Sequence, residues 1–351
     1  MPCLDRPVRR HSLSRHPLFL LTRIFLSVTV ASAALFAAGS AAAVTYRLTH
    51  NTADTSTWER GAARFAELLD TRSKGAIRVR SFPNASLTNG DQMKQVDLVG
   101  RGAIDFILTS AINATPLEPR MNVFSLPYLF ANYRQVDAVL DGPPAAEMAA
   151  IMRTHGIVIL AWGDNGFREV TNNRRPVMKP ADMAGLKMRV AAPLYVDIMN
   201  DLGANPQQMQ LTEVFTALQQ GVVDGQENPI SSAIVPGKIH EVQEHLTIWH
   251  YSYDPVFLGI SVRLWDRLDA PARELVQTAA RDAMQYEREL SRSSIEKDLA
   301  FLKTQPIRIV TLTPEQIEAF RAKTKPSFDK WSQRIGADLV DLFVRTIRSA
   351  D

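Results

Sequence analysis

The chain has 351 residues, with 40 Lys and Arg against 37 Asp and Glu and a net charge of +3. Five arginines against one aspartate in residues 1–43 account for more than that excess, so residues 44–351 are close to neutral and give no argument for nucleic acid or for a basic membrane-binding surface. The single cysteine, Cys3, lies in the same segment, which leaves the rest without disulfides or a thiolate nucleophile.

Residues 1–43 read as an address. Arg6, Arg9, Arg10, Arg15 and Arg23 surround the start of a mostly apolar run, Ile24 to Ala38, and Ala41 and Ala43 form a small-residue cleavage pattern. Cleavage after Ala43 is expected, with export to the periplasm. The run is short for a membrane span, and no later run is long enough for one. Residues 44–351 suffice for two domains.

Val44 to His50 alternates like a strand and ends in the polar loop Asn51-Thr52-Ala53-Asp54-Thr55-Ser56. Trp58, Ala62, Phe65, Ala66 and Leu69 mark one face of a helix to about Arg72. A strand at Ile77–Arg80, a helix at Gln92–Val99 and a strand over Gly102–Leu108 follow, which is the α/β rhythm. Asn51 and Thr109-Ser110 sit after strand ends, where open α/β sheets bind ligands, although capping or turn chemistry explains such residues as well. Tyr133 to His155 reads as one long amphipathic helix, and Ile157 to Trp162 as a buried strand. Gly163-Asp164-Asn165-Gly166 is a turn-rich connector and the first candidate hinge.

Arg168 follows that connector, either as an anion contact or as a solvated loop residue. Strands are expected at Glu169–Asn173 and Leu186–Val190, a helix over Tyr195–Leu202, and a second helix capped by Thr212 and ended by Gly221. Arg189 is a charge among Leu186, Met188 and Val190. A buried guanidinium needs an anion, supplied by a ligand carboxylate or by a structural Asp or Glu, unless the side chain leaves an edge strand for solvent. Asn228 closes the next strand, held extended by Pro229. The segments around Gln95–Asp105 and Phe215–Asp224 echo each other, each a helix broken at Gly before a strand carrying Asp, as two lobes of similar build would be. His240, His245 and His250 recur every five residues. That step spreads them around a helix rather than along one face, so no metal site is expected. Tyr253-Asp254-Pro255 is the second candidate hinge, before an apolar run, Val256 to Val262, that returns to the first lobe. A helical pattern from Pro271 to about Thr304 is either one long helix or two broken near Ser291–Ser294. Ile307–Val310 reads as a strand, and Thr313 caps a last helical region.

Three stretches resemble the solute-binding proteins of tripartite ATP-independent periplasmic (TRAP) transporters, the DctP-like family: Val123-Phe124-Ser125-Leu126-Pro127-Tyr128-Leu129-Phe130, Gly185-Leu186-Lys187-Met188-Arg189-Val190, and Glu213 to Pro229 with its Asp224-Gly225-Gln226-Glu227-Asn228-Pro229 end. The resemblance covers essentially all of residues 44–351. It implies an α/β, two-lobed periplasmic-binding-protein fold of type II-like build, with hinge strands and a long helix along both lobes. Residues 44–165 would form the first lobe, 166–253 the second, 254–293 the return to the first, and 294–351 a helical region packed on the second lobe and the hinge. It implies that Arg189 grips a substrate carboxylate, that Asn228, Arg168 and Asn51 assist, and that Ser110 and Phe215 are wall residues. Some sialic-acid-binding members carry an acidic residue near Thr109-Ser110, and its absence here speaks against an amino-sugar acid.

The implied function is capture of a small organic acid, a C4-dicarboxylate or a relative, for delivery to the TRAP membrane permease, by a monomer without cofactor, metal or nucleic acid. A periplasmic sensor input would share the fold. An exported hydrolase would need a nucleophile with its base or a metal, and neither G-x-S-x-G nor H-E-x-x-H occurs in residues 44–351.

Overall fold

Alternating strands and helices build two separate sheets in the computed structural model, which describes residues 44–350; the expected signal segment, residues 1–43, lies outside them. In chain order the strands are Val44–Thr49 (β1), Ile77–Phe82 (β2), Phe106–Ser110 (β3), Ile157–Phe167 (β4), Glu169–Asn172 (β5), Lys187–Val190 (β6), Asn205–Gln208 (β7), Gly225–Asn228 (β8), His245–Ile248 (β9), Tyr253–Ser261 (β10) and Arg308–Thr311 (β11). The main helices are Thr57–Arg72 (α1), Gln92–Gly100 (α2), Tyr133–Leu140 (α3), Pro143–Thr154 (α4), Pro193–Asp201 (α5), Leu211–Gln219 (α6), Ala270–Leu302 (α7), Pro314–Ile335 (α8) and Ala337–Arg348 (α9).

The first sheet has the order β2-β1-β3-β10-β4, the second β11-β9-β5-β8-β6-β7. β1 is parallel to both its neighbours, whereas β10 runs antiparallel between β3 and β4, as a strand returning from the other lobe must. Leu48, Phe65, Phe106, Leu258 and Met284 pack between the first sheet and helices α1 and α7. Helix α7 is unbroken over 33 residues and starts from Asp269, whose carboxylate accepts from the amide of Ala272 at 2.8 Å. At 1.5 Å per residue it spans about 50 Å, and its far end, Leu302, joins Val214 and Leu246 in the core of the second lobe. Helix α8 packs on α5, and α9 on α3 and α4.

Besides helix α7, two strand continuations carry the chain between the lobes. Gly163–Gly166, expected as a flexible connector, belongs to β4, with Tyr253, Asp254 and Pro255 of β10 paired to Phe167, Gly166 and Asp164. The backbone amide of Arg168 donates to the carbonyl of Ser252 at 2.9 Å, so the two crossings are tied to each other. Gly163 is there for space: a Cβ would lie 2.4 Å from Met284 and 2.5 Å from the carboxylate of Glu287 on α7.

Four further expectations are corrected. The helix over Tyr133–His155 is two, because Gly142 is followed by Pro143 and Pro144, which end one helix and suit the first turn of the next. Gly102–Asp105 forms a turn, with Gly102 at φ 74°, and β3 begins only at Phe106. Gln210, not Thr212, stands at the head of α6, where its amide donates to Glu213 at 3.3 Å. His240, His245 and His250 share no helix: they fall on a 3-10 turn, on β9 and in the second crossing. β7 was not anticipated; its Pro206 removes a donor, which an edge strand tolerates.

Candidate functional site

A narrow cavity lies between the lobes, and Asn51, Ser110, Arg168, Arg189 and Asn228 all line it. Phe215 is not among its walls, which corrects its reading as a wall residue; it borders an adjoining pocket that shares Asn51, Thr52, Leu211 and Ala233 with it.

Arg189 enters from β6 and is 1% exposed. Its Nε and Nη2 donate to the carbonyl of Met209 at 3.0 and 2.7 Å. Among the described residues it forms no ion pair, so the structural-carboxylate alternative is not realised. Burial pulls its pKa down to about 10, with Glu227 lifting it in part and Arg168 lowering it further. The group stays charged at neutral pH, desolvated and without a counter-ion.

Arg168 lies where β4 passes into β5 and is 2% exposed. Its guanidinium is occupied by its own chain. Nε and Nη2 bind the Glu227 carboxylate, with Nη2 to Oε1 at 3.0 Å. Nη2 also donates to the Glu227 carbonyl at 2.8 Å and to Asn228 Oδ1 at 3.1 Å, and Nη1 faces Asp254 Oδ2 at 3.4 Å. Its Cζ lies 4.9 Å from the Tyr195 ring centroid, and Tyr251 donates to Glu227 at 2.7 Å. Burial would lower its pKa, but the charge of Glu227 raises it well above the ordinary value. The antiparallel pairing of β5 with β8 sets Glu169 opposite Asn228 and brings Glu227 and Asn228 to Arg168.

Amides and a loop complete the wall. Asn51 Oδ1 accepts from Asn113 Nδ2 at 3.2 Å, and Asn113 Oδ1 accepts from Gln92 Nε2 at 2.9 Å. Gln92, on α2, then crosses the cleft: its Oε1 accepts from the amide of Leu211 at 3.0 Å, and its own amide donates to Gln210 Oε1 at 3.2 Å. The loop carrying Asn51 is fixed by His50, whose ring bonds Thr52 Oγ1 at 3.1 Å and Glu59 at 2.7 Å, and by the Thr52–Ser56 hydroxyl bond of 2.8 Å. Asp254 is fully buried, accepts from the amide of Ile112 at 3.2 Å and from Asn165 Nδ2 at 3.0 Å, and also bonds Ser110. Gln92, Asn113, Glu227 and Asp254 were not singled out as site residues from the sequence. Glu227 stood beside Asn228 in the quoted motif, but nothing local marks Asn113 or Gln92.

Residues 48–334 match the DctP family, described as bacterial extracellular solute-binding protein, family 7. The C4-dicarboxylate-binding periplasmic protein DctP of Rhodobacter capsulatus is 32% identical over 92% of this chain and 97% of its own length. Among solved structures, a TRAP periplasmic solute binding protein from Ralstonia eutropha H16 with bound (S)-2-acetolactate is 35% identical, with a TM-score of 0.84 over 87% of this chain and 99% of that one. The sugar acid binding protein DctPAm from Advenella mimigardefordensis, in complex with galactonate, is 31% identical, with a TM-score of 0.84 over 88% of this chain and 99% of that one. The chain belongs to the DctP family of bacterial extracellular solute-binding proteins and has the two-lobed fold of the TRAP solute-binding structures.

Proposed function

We propose that this chain captures a small organic acid by its carboxylate at Arg189 and delivers it to the membrane permease of a TRAP transporter, after export and cleavage behind Ala43. One observation carries the reading: Arg189 is a fully desolvated guanidinium that faces an inter-lobe cavity with no counter-ion of its own. A carboxylate matches its planar fork and supplies the missing charge. Asn228, Asn51 and Ser110 complete the site, Arg168 holds Asn228 in its wall, and Phe215 borders the adjoining pocket. Contacts to both lobes then shift the population toward the closed form. A division at residues 165 and 253 falls at or beside the strand crossings, whereas residue 293 lies inside the unbroken helix α7, and the last helix, α9, packs on α3 and α4 of the first lobe rather than on the second.

The binder is read as non-catalytic. The Thr52–His50–Glu59 chain anchors the Asn51 loop, and turnover of esters or glycosides by the purified chain would overturn that part. Family membership favours transport over sensing. Calorimetry on residues 44–351 against organic acids, with Arg189→Ala beside the wild type, tests the reading. The substitution should cost about 2–5 kcal/mol of binding, and unchanged affinity would sink the role of Arg189.

A further inference from the structure

The cavity holds two arginines but only one cation that is free to meet a ligand. At one end Arg168 faces two carboxylates, Glu227 and Asp254; burial raises the pKa of Asp254, but Arg168, Asn165 and the amide of Ile112 all donate to its oxygens as to an anion, so that end already carries one negative charge more than it carries positive. Arg189 at the other end brings the four groups to neutrality. Among the described residues that line the cavity there is no lysine and no third arginine. One ligand carboxylate on Arg189 therefore leaves the site at a net charge of about −1. A second would have to be desolvated near Glu227 and Asp254 without a counter-charge, which is costly.

The remaining polar wall is uncharged and rich in spare donors. Asn51 uses its side-chain oxygen for Asn113, and its NH₂ has no protein partner among the described residues. Gln92 donates one N–H to Asn113, and Asn228 donates one to Gln226, which leaves each a second N–H. Such groups suit hydroxyl or carbonyl oxygens, and a site built to bond them discriminates against ligands that lack them. Gln92 reaches the cavity while bonded across the cleft to Leu211, so this donor set is assembled only when the lobes are together.

Resting on the proposed carboxylate anchor at Arg189, we infer that the ligand is a monocarboxylate carrying hydroxyl or carbonyl oxygens on the neighbouring carbons, with Asn51 and Gln92 as specificity-determining residues, and that dicarboxylates are disfavoured. Acids of equal carbon number separate the effects: D-erythronate, succinate and butyrate, with galactonate as a longer hydroxy acid, titrated calorimetrically into residues 44–351. A hydroxy monocarboxylate should bind at least tenfold more tightly than succinate, and butyrate should bind more weakly than the hydroxy acids.

Two variants read the causes. Asn51→Ala should weaken D-erythronate or galactonate about tenfold and leave butyrate nearly unchanged. Asp254→Asn removes one negative charge beside Arg168 and should move the succinate-to-erythronate affinity ratio about tenfold toward succinate. If Asp254→Asn does not fold, the wild-type ranking and Asn51→Ala still decide. Succinate binding as tightly as the hydroxy acids would overturn this inference alone, provided Arg189→Ala abolishes that binding. Equal losses for erythronate and butyrate in Asn51→Ala would also overturn it. Folded protein that binds none of these acids would overturn the carboxylate anchor and this inference together.

Discussion

The two ends of the inter-lobe cavity hold the same side chain in opposite conditions. At the hinge end Arg168 is enclosed by Glu227, Asp254, Asn228 and two tyrosine rings, all from its own chain. At the other end Arg189 has one backbone carbonyl and an open cavity. Both are nearly inaccessible to solvent, so burial does not separate structure from function here. The partner inventory does: a buried charge that the fold has completed is architecture, and one that it has left incomplete is a binding site.

The harshest way to break this contrast is to strip the completed end. Glu227→Ala leaves the desolvated Arg168 with Asp254, at 3.4 Å, as its one remaining carboxylate among the described residues, and should cost about 3–5 kcal/mol of folding stability, read by chemical denaturation. A loss under about 1 kcal/mol would mean that Arg168 does not depend on Glu227, and the distinction between the ends would fall.

The next effect lies behind the hinge. Glu287 of α7 reaches the hinge strand, where its Oε2 accepts from the amide of Asp164 at 2.9 Å. Burial, with Asp164 adding to it, pushes its pKa up from 4.5 to about 8. The folded protein thus holds a proton that the unfolded chain has shed across that interval. The stabilisation is fully present below pH 4.5 and is lost as the pH rises through about 8. A decline on the order of 2–4 kcal/mol from pH 5 to 8 is expected in the wild type relative to Glu287→Gln. Burial raises the Asp164 pKa as well, so the difference between the two proteins is the quantity to measure. His250 is also raised: burial lowers it, but Glu169 outweighs burial. Its slope has the same sign, and the glutamine variant leaves it in place. Parallel curves for the two proteins would show that Glu287 is ionised throughout.

Gly163→Ala tests the same region sterically. The new methyl group meets Met284 and Glu287, so about 1–3 kcal/mol of stability should be lost to overpacking. An unchanged melting midpoint would mean that α7 is not pressed against the hinge.

The sequence revealed the incomplete end of the cavity better than the completed one, for a physical reason. A charge between Met188 and Val190 is a local anomaly, and Pro229 behind Asn228 is a local constraint. Both are readable in a few residues. What Arg168 binds depends on β5 lying antiparallel to β8 and on β10 returning beside β4, pairings between distant segments. Gln92 and Asn113 enter the site only when α2 comes to the cleft. The hinge read as a loop because Gly163, Asn165 and Gly166 are turn residues, whereas Gly163 serves to admit Glu287. The break after Leu140 was legible, since Gly142-Pro143-Pro144 cannot continue a helix, and the amphipathic periodicity on both sides masked it. The two sheets and the long helix followed from periodicity and family resemblance together.

The smallest expected effect is the most discriminating. Arg189→Met removes a guanidinium that the ligand-free fold has not neutralised. The loss of two hydrogen bonds to the Met209 carbonyl opposes the relief of an unpaired, desolvated charge, and the two terms are of similar size. Stability without ligand should therefore change by less than about 1 kcal/mol, in either direction. The rise in melting temperature on adding an organic acid should disappear, because that rise is the binding free energy acting on the folded state alone. The pair of measurements separates the two arginines more sharply than either alone. A structural arginine loses stability with or without ligand, as Glu227→Ala should show for Arg168, whereas a binding arginine loses only the part that the ligand contributes. Should Arg189→Met unfold the chain as severely as Glu227→Ala does, Arg189 belongs to the architecture as well, and the anion that it awaits must be sought inside the fold.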